Sequence, residues 1–306
     1  MLKVAIIGFG RWGPNLARNF QNSRNFEIKY VVDKSNKNLS KAMSIYPLAD
    51  YYNDYKKIKN NKIDLVIIAT PTKFHFEIAN FFLKKNNVLI EKPLSTSLIQ
   101  VKKLEDIAKK SGKFLFVDYP FLFSGSINYL KKIINNNKFG KLIEIESYRE
   151  QAPIRNDTNV VWDLSVHDIS ILMYLMNKKP IKISSNKLRT SYSKNYDTAY
   201  INLEFNNKLN VFIKNSWISP VKIRLIKFKF EKCFIICDEN EPLYKIKIFK
   251  KKNNSELNYN VQIPDIDISE PLFNLTEYIF KSIKNKKNEI FKNNFNIEIT
   301  KILEKI

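Results

Sequence analysis

A glycine-rich segment near the start of the chain has the spacing of a phosphate-binding loop. Gly8, Gly10 and Gly13 lie in the motif GFGRWG, between an apolar strand-like run and a helix-like one. Gly8 permits a tight turn, Gly10 lets the backbone approach a pyrophosphate, and Gly13 lets the helix pack on the strand. The N–H groups that begin the helix would meet the phosphate charge. Because the chain has only six glycines, three at this spacing predict a dinucleotide site.

A carboxylate follows the second predicted strand. Asp33 stands where an acidic side chain would accept hydrogen bonds from the adenosine ribose, and it would repel a 2′-phosphate. NAD is therefore favoured over NADP as the cofactor, although the adjacent Lys34 could soften this discrimination. Arg11 and Trp12, between the glycines, are further expected cofactor contacts. The alternative for Asp33 is a solvated residue at a strand end.

Three further segments carry side chains that could do chemistry at strand ends or helix starts. They read ATPTKFH at Ala69–His75, EKP at Glu91–Pro93 and WDLSVHD at Trp162–Asp168. In this order after the glycine motif, they make the chain resemble the Gfo/Idh/MocA family of oxidoreductases over nearly its full length. The segment Arg155–Asp163 is similar to the branch of that family found in surface-polysaccharide and sugar-nucleotide pathways.

The resemblance implies roles for residues of the first half. Thr70 and Pro71 would line the nicotinamide side of the cofactor, and Lys92 would be the active-site lysine, before a peptide bond that is often cis. Glu91 and His75 are counted with the cofactor contacts. For His75, packing or capping a helix start is the alternative, and Lys92 is one of many lysines whose assignment depends on the EKP context.

In the second half, Asp163 and His167 match the D-x3-H pair of the family. Residues four apart lie on one face of a helix, so both side chains could point into a single pocket. Histidine suits the removal of a hydroxyl proton as hydride leaves a carbon. Lys92 would hydrogen-bond the same oxygen, Asp163 would orient sugar hydroxyls, and either Lys92 or His167 could finally hold the proton. Arg155 is a candidate contact for a substrate phosphate or carboxylate, with a plain surface arginine as the alternative.

Two segments depart from the family pattern. Much of the family has a glycine–histidine pair after the strand that here ends Val117-Asp118-Tyr119-Pro120. Asn86-Asn87 replaces a glycine that is usual before the VLIEKP strand. Neither change removes a proposed catalytic group.

The elements that must position these residues follow two different patterns. Up to about residue 120, strands and helices alternate, which predicts a doubly wound α/β Rossmann domain over residues 1–120. The predicted strands there are Val4–Gly8, Ile28–Asp33, Asp64–Thr70, Val88–Glu91 and Phe114–Asp118, and the helices are Asn15–Phe20, Ser35–Tyr46, Phe74–Lys85 and Ile99–Ser111.

Residues 121–306 are predicted to form an α+β domain with a mostly antiparallel, open sheet, because its strand-like runs follow one another without helices between them. We expect this domain to bind substrate and its open sheet to form the interface of a homodimer or homotetramer. The strands are Leu142–Arg149, Ile181–Arg189, Thr198–Phe205, Leu209–Ser216, Arg224–Phe230, Cys233–Cys237 and Leu243–Lys250, and the helices are Ile127–Asn135, Ser165–Leu175, Glu270–Lys284 and Ile297–Ile306.

Composition limits the possible partners. The net charge of +22 comes from lysines dispersed along the whole chain, so we attribute it to genome composition and expect no nucleic-acid partner. No apolar run reaches the roughly 18 residues that span a bilayer, and MLKVAIIG is too short for a secretory signal. Cys233 and Cys237 have the spacing of core residues on one strand face. With no metal site or disulfide framework expected, a cytoplasmic location follows.

Together these features predict an NAD(P)-dependent dehydrogenase that acts on a secondary hydroxyl of a sugar, cyclitol or nucleotide-sugar. Two alternatives stay open. One is a redox-neutral enzyme that recycles its cofactor within each turnover, because a fold does not define a reaction. The other is a dinucleotide-binding protein without catalysis.

Overall fold

The computed structural model describes residues 1–58, 63–190, 192–251, 259–292 and 294–306. These residues form two compact units. The first comprises Met1–Pro120 and Glu270–Thr300, and the second comprises Phe121–Ser269 and Lys301–Ile306. None of the described helices combines the length and the apolar character that crossing a membrane requires.

The first unit is built on a six-stranded parallel sheet in the order β3-β2-β1-β4-β5-β6. Its inner strands are continuous apolar runs because helices cover both faces of such a sheet. The strand order reverses beside β1, so the loops after β1 and β4 are adjacent, which is where such sheets bind ligands. The strands are β1 Leu2–Ile7, β2 Phe26–Val32, β3 Asp50–Tyr52, β4 Leu65–Ile68, β5 Asn87–Glu91 and β6 Leu115–Asp118, and the helices between them are α1 Gly13–Asn22, α2 Asn36–Ile45, α3 His75–Phe82 and α4 Leu98–Ser111.

A helix from the far end of the sequence completes this unit. Helix α7, Pro271–Asn285, contacts α1. Arg18 on α1 forms a bidentate pair with Glu270 at the start of α7, with N–O distances of 2.7 and 2.9 Å. Phe280 packs edge-on against Phe26 of β2. The prediction that everything after residue 120 belongs to one domain is therefore corrected for 270–300, whose amphipathic helix buries its apolar face in the first unit.

The second unit contains an eight-stranded sheet in the order β14-β13-β12-β11-β7-β10-β9-β8. Neighbouring strands are antiparallel except β10 and β7, which are parallel. The strands are β7 Leu142–Glu150, β8 Lys182–Leu188, β9 Thr198–Phe205, β10 Leu209–Ser216, β11 Ile223–Phe230, β12 Cys233–Asp238, β13 Ile246–Lys251 and β14 Tyr259–Gln262, and the helices are α5 Gly125–Asn135, α6 Val166–Met176 and α8 Phe295–Lys305, the last of which crosses from the residues of the first unit to those of the second.

One face of the second sheet is buried and the other is exposed. Along β9 and β10, inward residues such as Val211 are fully buried, whereas Tyr200 and Phe212 are each 45% exposed. Helix α6 packs on the buried face, where Asp168 accepts hydrogen bonds from Ser147 and Asn215 of the sheet. The predicted class, a Rossmann domain with a mostly antiparallel α+β domain, is confirmed.

Candidate functional site

The glycine loop has the shape of a cradle for a phosphate. Gly8 has φ +95°, and a Cβ there would lie 2.6 Å from the carbonyl oxygen of Ala69. A Cβ on Gly13 would collide with the carbonyl oxygen of Gly8, so helix α1 approaches the strand as closely as a backbone can. By contrast, a Cβ on Gly10 would meet nothing within 4 Å. The backbone is therefore closely packed at Gly8 and Gly13 and open at Gly10, as the approach of a pyrophosphate requires.

The start of helix α1 leaves its positive end available. Its N-cap, Trp12, makes no side-chain capping bond, and no acidic residue lies in the first turn. Unsatisfied N–H groups and the helix dipole favour an anion at such an end. Arg11 beside it is exposed, and Trp12 is half-buried. These observations fit the dinucleotide predicted from the motif.

Asp33 ties the glycine loop to the end of β2. Its Oδ2 accepts a hydrogen bond from the backbone N–H of Phe9 at 2.7 Å, and its Oδ1 accepts one from the N–H of Ser35 at 2.8 Å. Each carboxylate oxygen can accept a second hydrogen bond, so both remain available to ribose hydroxyls. Sequence reasoning did not foresee that Asp33 also fixes the loop.

The loops after β4 and β5 are joined by a buried histidine. His75 is 0% exposed, and its Nδ1 and Nε2 lie 2.9 Å from the Pro93 oxygen and 2.8 Å from the Thr70 oxygen. Burial lowers the pKa of His75, which favours the neutral ring, while the hydrogen bonds to the Thr70 and Pro93 carbonyl groups oppose this shift. Of the two roles considered for His75, packing fits the geometry, because a ring without exposure offers no surface to a cofactor.

The linked loops carry the other residues expected at the nicotinamide. Thr70 and Pro71 follow β4, and the Thr70 hydroxyl is buried with no hydrogen-bond partner among the described residues. Glu91 ends β5, and Lys92 follows it, half-buried, before a cis peptide bond to Pro93. The cis bond implied by the resemblance is therefore present.

A residue that sequence reasoning did not assign lies beside them. Asp118, at the end of β6, pairs in register with Glu91 and accepts a hydrogen bond from Trp12 Nε1 at 2.6 Å. Burial raises the pKa of Asp118 to about 6, while the Trp12 hydrogen bond and the charge of Lys92 oppose that rise. Asp118 thus joins the glycine loop and the lysine loop in one polar cluster.

The residues predicted in the second half lie in the second unit. Asp163 is 8% exposed and belongs to a π-helical turn, Val161–Ser165, that leads into α6. Single π-helical turns interrupt α-helices often at functional sites. The i, i+4 argument placed Asp163 and His167 on one face of a regular α-helix. Because Asp163 lies in the π-helical turn and His167 in α6, that argument does not apply directly to this pair.

Arg155 supports Asp163 rather than standing free. Its guanidinium forms two hydrogen bonds to Asp157, at 2.8 and 3.0 Å, and one to Asp163 Oδ1 at 3.4 Å. The indole N–H of Trp217 donates to Asp163 Oδ2 at 2.9 Å. Two carboxylates already face the positive charge of Arg155, which weakens the case for a substrate anion there. Asn195 holds the same loop through the carbonyl oxygens of residues 155, 156 and 158.

The Phe121 ring contacts both His167 and Arg149, and Arg149 forms an ion pair with Asp168. The ring of Phe121 meets His167 edge-on, with centroids 5.2 Å apart. The guanidinium of Arg149 lies 4.4 Å from the Phe121 centroid and pairs with Asp168 at 3.2 Å. Arg149 and Asp168 are 3% and 1% exposed, and Ser147 and Asn215 complete the hydrogen bonds of Asp168. The sequence signal for this network was Asp168 in the WDLSVHD motif, which received no role.

No group of three or more candidate metal ligands occurs in the described part of the chain. Cys233 and Cys237 are buried free thiols on β12, in agreement with the spacing argument.

Comparison with known proteins identifies the family. A model described as an oxidoreductase family with an NAD-binding Rossmann fold matches residues 2–119, and the Gfo/Idh/MocA C-terminal domain model matches residues 127–238. The chain belongs to the Gfo/Idh/MocA family. It is similar to the myo-inositol 2-dehydrogenase of Thermotoga maritima, with 26% identity over 58% of this chain and 56% of that protein. It is also similar to the NAD(+)-dependent scyllo-inositol 2-dehydrogenase of Bacillus subtilis, with 26% identity over 72% of this chain and 68% of that one.

Solved structures share the fold over nearly the full chain. The UDP-N-acetylglucosamine 3-dehydrogenase from Acidithiobacillus ferrooxidans superposes with a TM-score of 0.86 and 17% identity, covering 99% of this chain and 96% of that one. The alignments with the first curated relatives span only 53 to 66% of their lengths.

Proposed function

We propose that this chain is an NAD-dependent dehydrogenase that reversibly oxidises a secondary hydroxyl of a sugar, cyclitol or nucleotide-sugar. The observation that carries the proposal is the glycine loop, closed at Gly8 and Gly13 and open at Gly10, with Asp33 fixed beside it. Membership of an NAD-binding oxidoreductase family and similarity to inositol dehydrogenases support the reaction class.

In this proposal each catalytic side chain has one task. A nicotinamide cofactor held by the glycine loop and Asp33 would supply the hydride acceptor. His167 removes the hydroxyl proton, because an imidazole titrates near pH 6.5 and suits general-base work. Lys92 donates a hydrogen bond to a substrate oxygen, and Asp163 accepts hydrogen bonds from substrate hydroxyls. Arg155 holds Asp163 in place.

The remaining polar groups favour a substrate rich in hydroxyls. Asp163 is a hydrogen-bond acceptor held by Trp217 and Arg155, and neutral polyols offer matching donors. The place in surface-polysaccharide or nucleotide-sugar metabolism suggested by the segment 155–163 belongs to this proposal. Buried free thiols at Cys233 and Cys237 agree with a reducing cytoplasm.

We further propose that copies of the chain associate through the exposed face of the eight-stranded sheet as a homodimer or homotetramer. Tyr148, Tyr200 and Phe212 line a cavity of about 530 Å³ on neighbouring strands of this sheet. Exposed aromatic side chains of this kind are enriched at protein interfaces. Light scattering after size exclusion gives the mass, and Phe212→Glu should reduce it to that of a monomer.

The first experiment measures nicotinamide absorbance with NAD and NADP against nucleotide-sugars, free sugars and inositols. His167→Asn is assayed in parallel, with Leu48→Ala at a 90% exposed position as the control. NAD-dependent turnover that is lost in His167→Asn and kept in Leu48→Ala supports the proposal. NAD binding without net reduction for any substrate contradicts it. Cofactor retained through purification would then favour the redox-neutral reaction, and freely exchanging cofactor a non-catalytic protein.

A further inference from the structure

Asp118 is a buried acid that the proposed reaction does not use. It ends strand β6 and is 1% exposed. A buried carboxylate costs free energy unless partners compensate it. A carboxyl group at this buried position is therefore expected to have partners that compensate the cost.

The partners of Asp118 come from two functional loops. Oδ2 accepts a hydrogen bond from the indole N–H of Trp12, the N-cap of helix α1 within the glycine loop. Lys92 directly follows Glu91, which pairs in register with Asp118, and the Lys92 charge lowers the pKa of the Asp118 carboxyl group. Oδ1 is buried without a hydrogen-bond partner among the described residues. Glu91, its in-register neighbour on β5, is the other acidic side chain at this strand end.

We propose that Asp118 is a positioning residue, which holds the Trp12 indole at the phosphate-binding helix end and draws the Lys92 ammonium group toward its working position. The contact between Trp12 and Asp118 is a hydrogen bond seen in the structure and does not depend on the proposed function. The consequence for catalysis rests on the proposed function, since it requires Lys92 to contact the reacting oxygen. One carboxylate then couples the cofactor loop to the catalytic lysine inside a single unit.

Protonation of Asp118 should switch this attraction off. Burial sets its pKa at about 6, so the neutral acid prevails below that pH and no longer attracts Lys92. Lys92 acts on this carboxyl group through its charge, and Glu91 is its in-register neighbour on β5. Removal of Lys92 takes away a charge that favours the carboxylate, so it should move the titration of Asp118 upward in pH.

The test uses tryptophan emission of the protein without cofactor or substrate. The difference between wild type and Trp12→Phe isolates Trp12 from the other two tryptophans. We expect a step in Trp12 emission near pH 6 that Asp118→Asn abolishes and Lys92→Met moves upward. Asp106→Asn removes an equal charge from an exposed position on α4 and should leave the step unchanged. Trp12 emission without a step near pH 6 overturns the contact, and a step that Lys92→Met does not move overturns the coupling.

Kinetics test the catalytic consequence separately. With the substrate found in the panel, Asp118→Asn should lower kcat roughly tenfold or more and change the KM for NAD much less, because a misplaced catalytic group costs rate rather than ground-state binding. The acid limb of the kcat–pH profile of Asp118→Asn should also lose the component near pH 6 that Asp118 contributes. Unchanged kcat with a normal pH profile overturns the positioning role. If no substrate turns over, the proposed function fails, whereas the emission steps still decide the fate of the Asp118 cluster.

Discussion

Replacement of Asp118 by asparagine should stabilise the protein at neutral pH and above. Burial raises the pKa of Asp118 from 3.8 to about 6, and each pKa unit corresponds to about 1.4 kcal/mol. The folded chain thus holds this proton more tightly than the unfolded chain. The resulting contribution to the free energy of unfolding is present in full below about pH 4 and is lost as pH rises through about 6. Ionisation of Asp118 then costs about 3 kcal/mol of the free energy of unfolding.

The stability difference between Asp118→Asn and wild type depends on pH, because only wild type carries the titrating carboxyl group. Asparagine carries no charge at any pH, so the stability of Asp118→Asn relative to wild type should rise by roughly 1 kcal/mol between pH 5 and pH 8. Two unpaired amide donors at a buried position offset part of the absolute gain, but this offset does not vary with pH.

Urea unfolding of the two proteins at pH 5, 6.5 and 8 measures this difference. Trp12 emission reports the first unit, because the other tryptophans, Trp162 and Trp217, lie in the second. Asp106→Asn should show no comparable trend, since its side chain is exposed. A stability difference between wild type and Asp118→Asn that is equal at pH 5 and pH 8 would refute the reasoning.

Three other predictions concern the loop, the cofactor preference and the second unit. Gly13→Ala should abolish NAD binding in calorimetric titrations, because its Cβ collides with the loop backbone, whereas Gly10→Ala should weaken binding and leave the fold intact. Asp33→Asn should shift the ratio of kcat/KM values from NAD toward NADP, because it removes the charge that repels a 2′-phosphate. Arg149→Met should lower the free energy of unfolding by about 3–5 kcal/mol, because it strands a buried carboxylate, whereas Arg155→Met, at a partly exposed pair, should cost about 1 kcal/mol or less.

Each of these has a contrary outcome. Equal NAD affinity in Gly13→Ala and wild type would contradict the packing argument at the loop. An unchanged cofactor ratio in Asp33→Asn would leave that residue with only its structural hydrogen bonds. Equal destabilisation by Arg149→Met and Arg155→Met in urea would show that burial does not separate the two ion pairs.

Much of the fold followed from local patterns in the sequence. Continuous apolar runs such as Leu65–Ile68 and the alternation along β9 define strands buried on two faces and on one. The edge strands β3 and β14 escaped prediction because Asp50–Tyr52 is three residues long and the mostly exposed Tyr259–Gln262 has no buried face to impose an apolar alternation. The amphipathic pattern of α7 showed that one face is buried, but such a pattern does not say against which sheet.

The candidate site was predictable where motifs are local. The glycine loop and Asp33 each follow an apolar strand run, and the structure places them at the ends of the neighbouring strands β1 and β2. Asp118 follows an apolar strand run just as Asp33 does, so the same signal could have found it. Arg149 gave no such signal, because its partner Asp168 is remote in sequence and meets it only through the packing of α6 on the sheet.

The return of α7 to the first unit bears on how the protein is made. The chain crosses between the units after Pro120, after Ser269 and after Thr300. Domains that are continuous in sequence can fold in turn as they leave the ribosome. Here the nascent parallel sheet lacks the helix carrying Phe280 and the Glu270 partner of Arg18 until most of the second unit has been synthesised. Synthesis of the second unit therefore precedes completion of the first, and a truncation at residue 269 should leave an aggregation-prone nucleotide-binding unit.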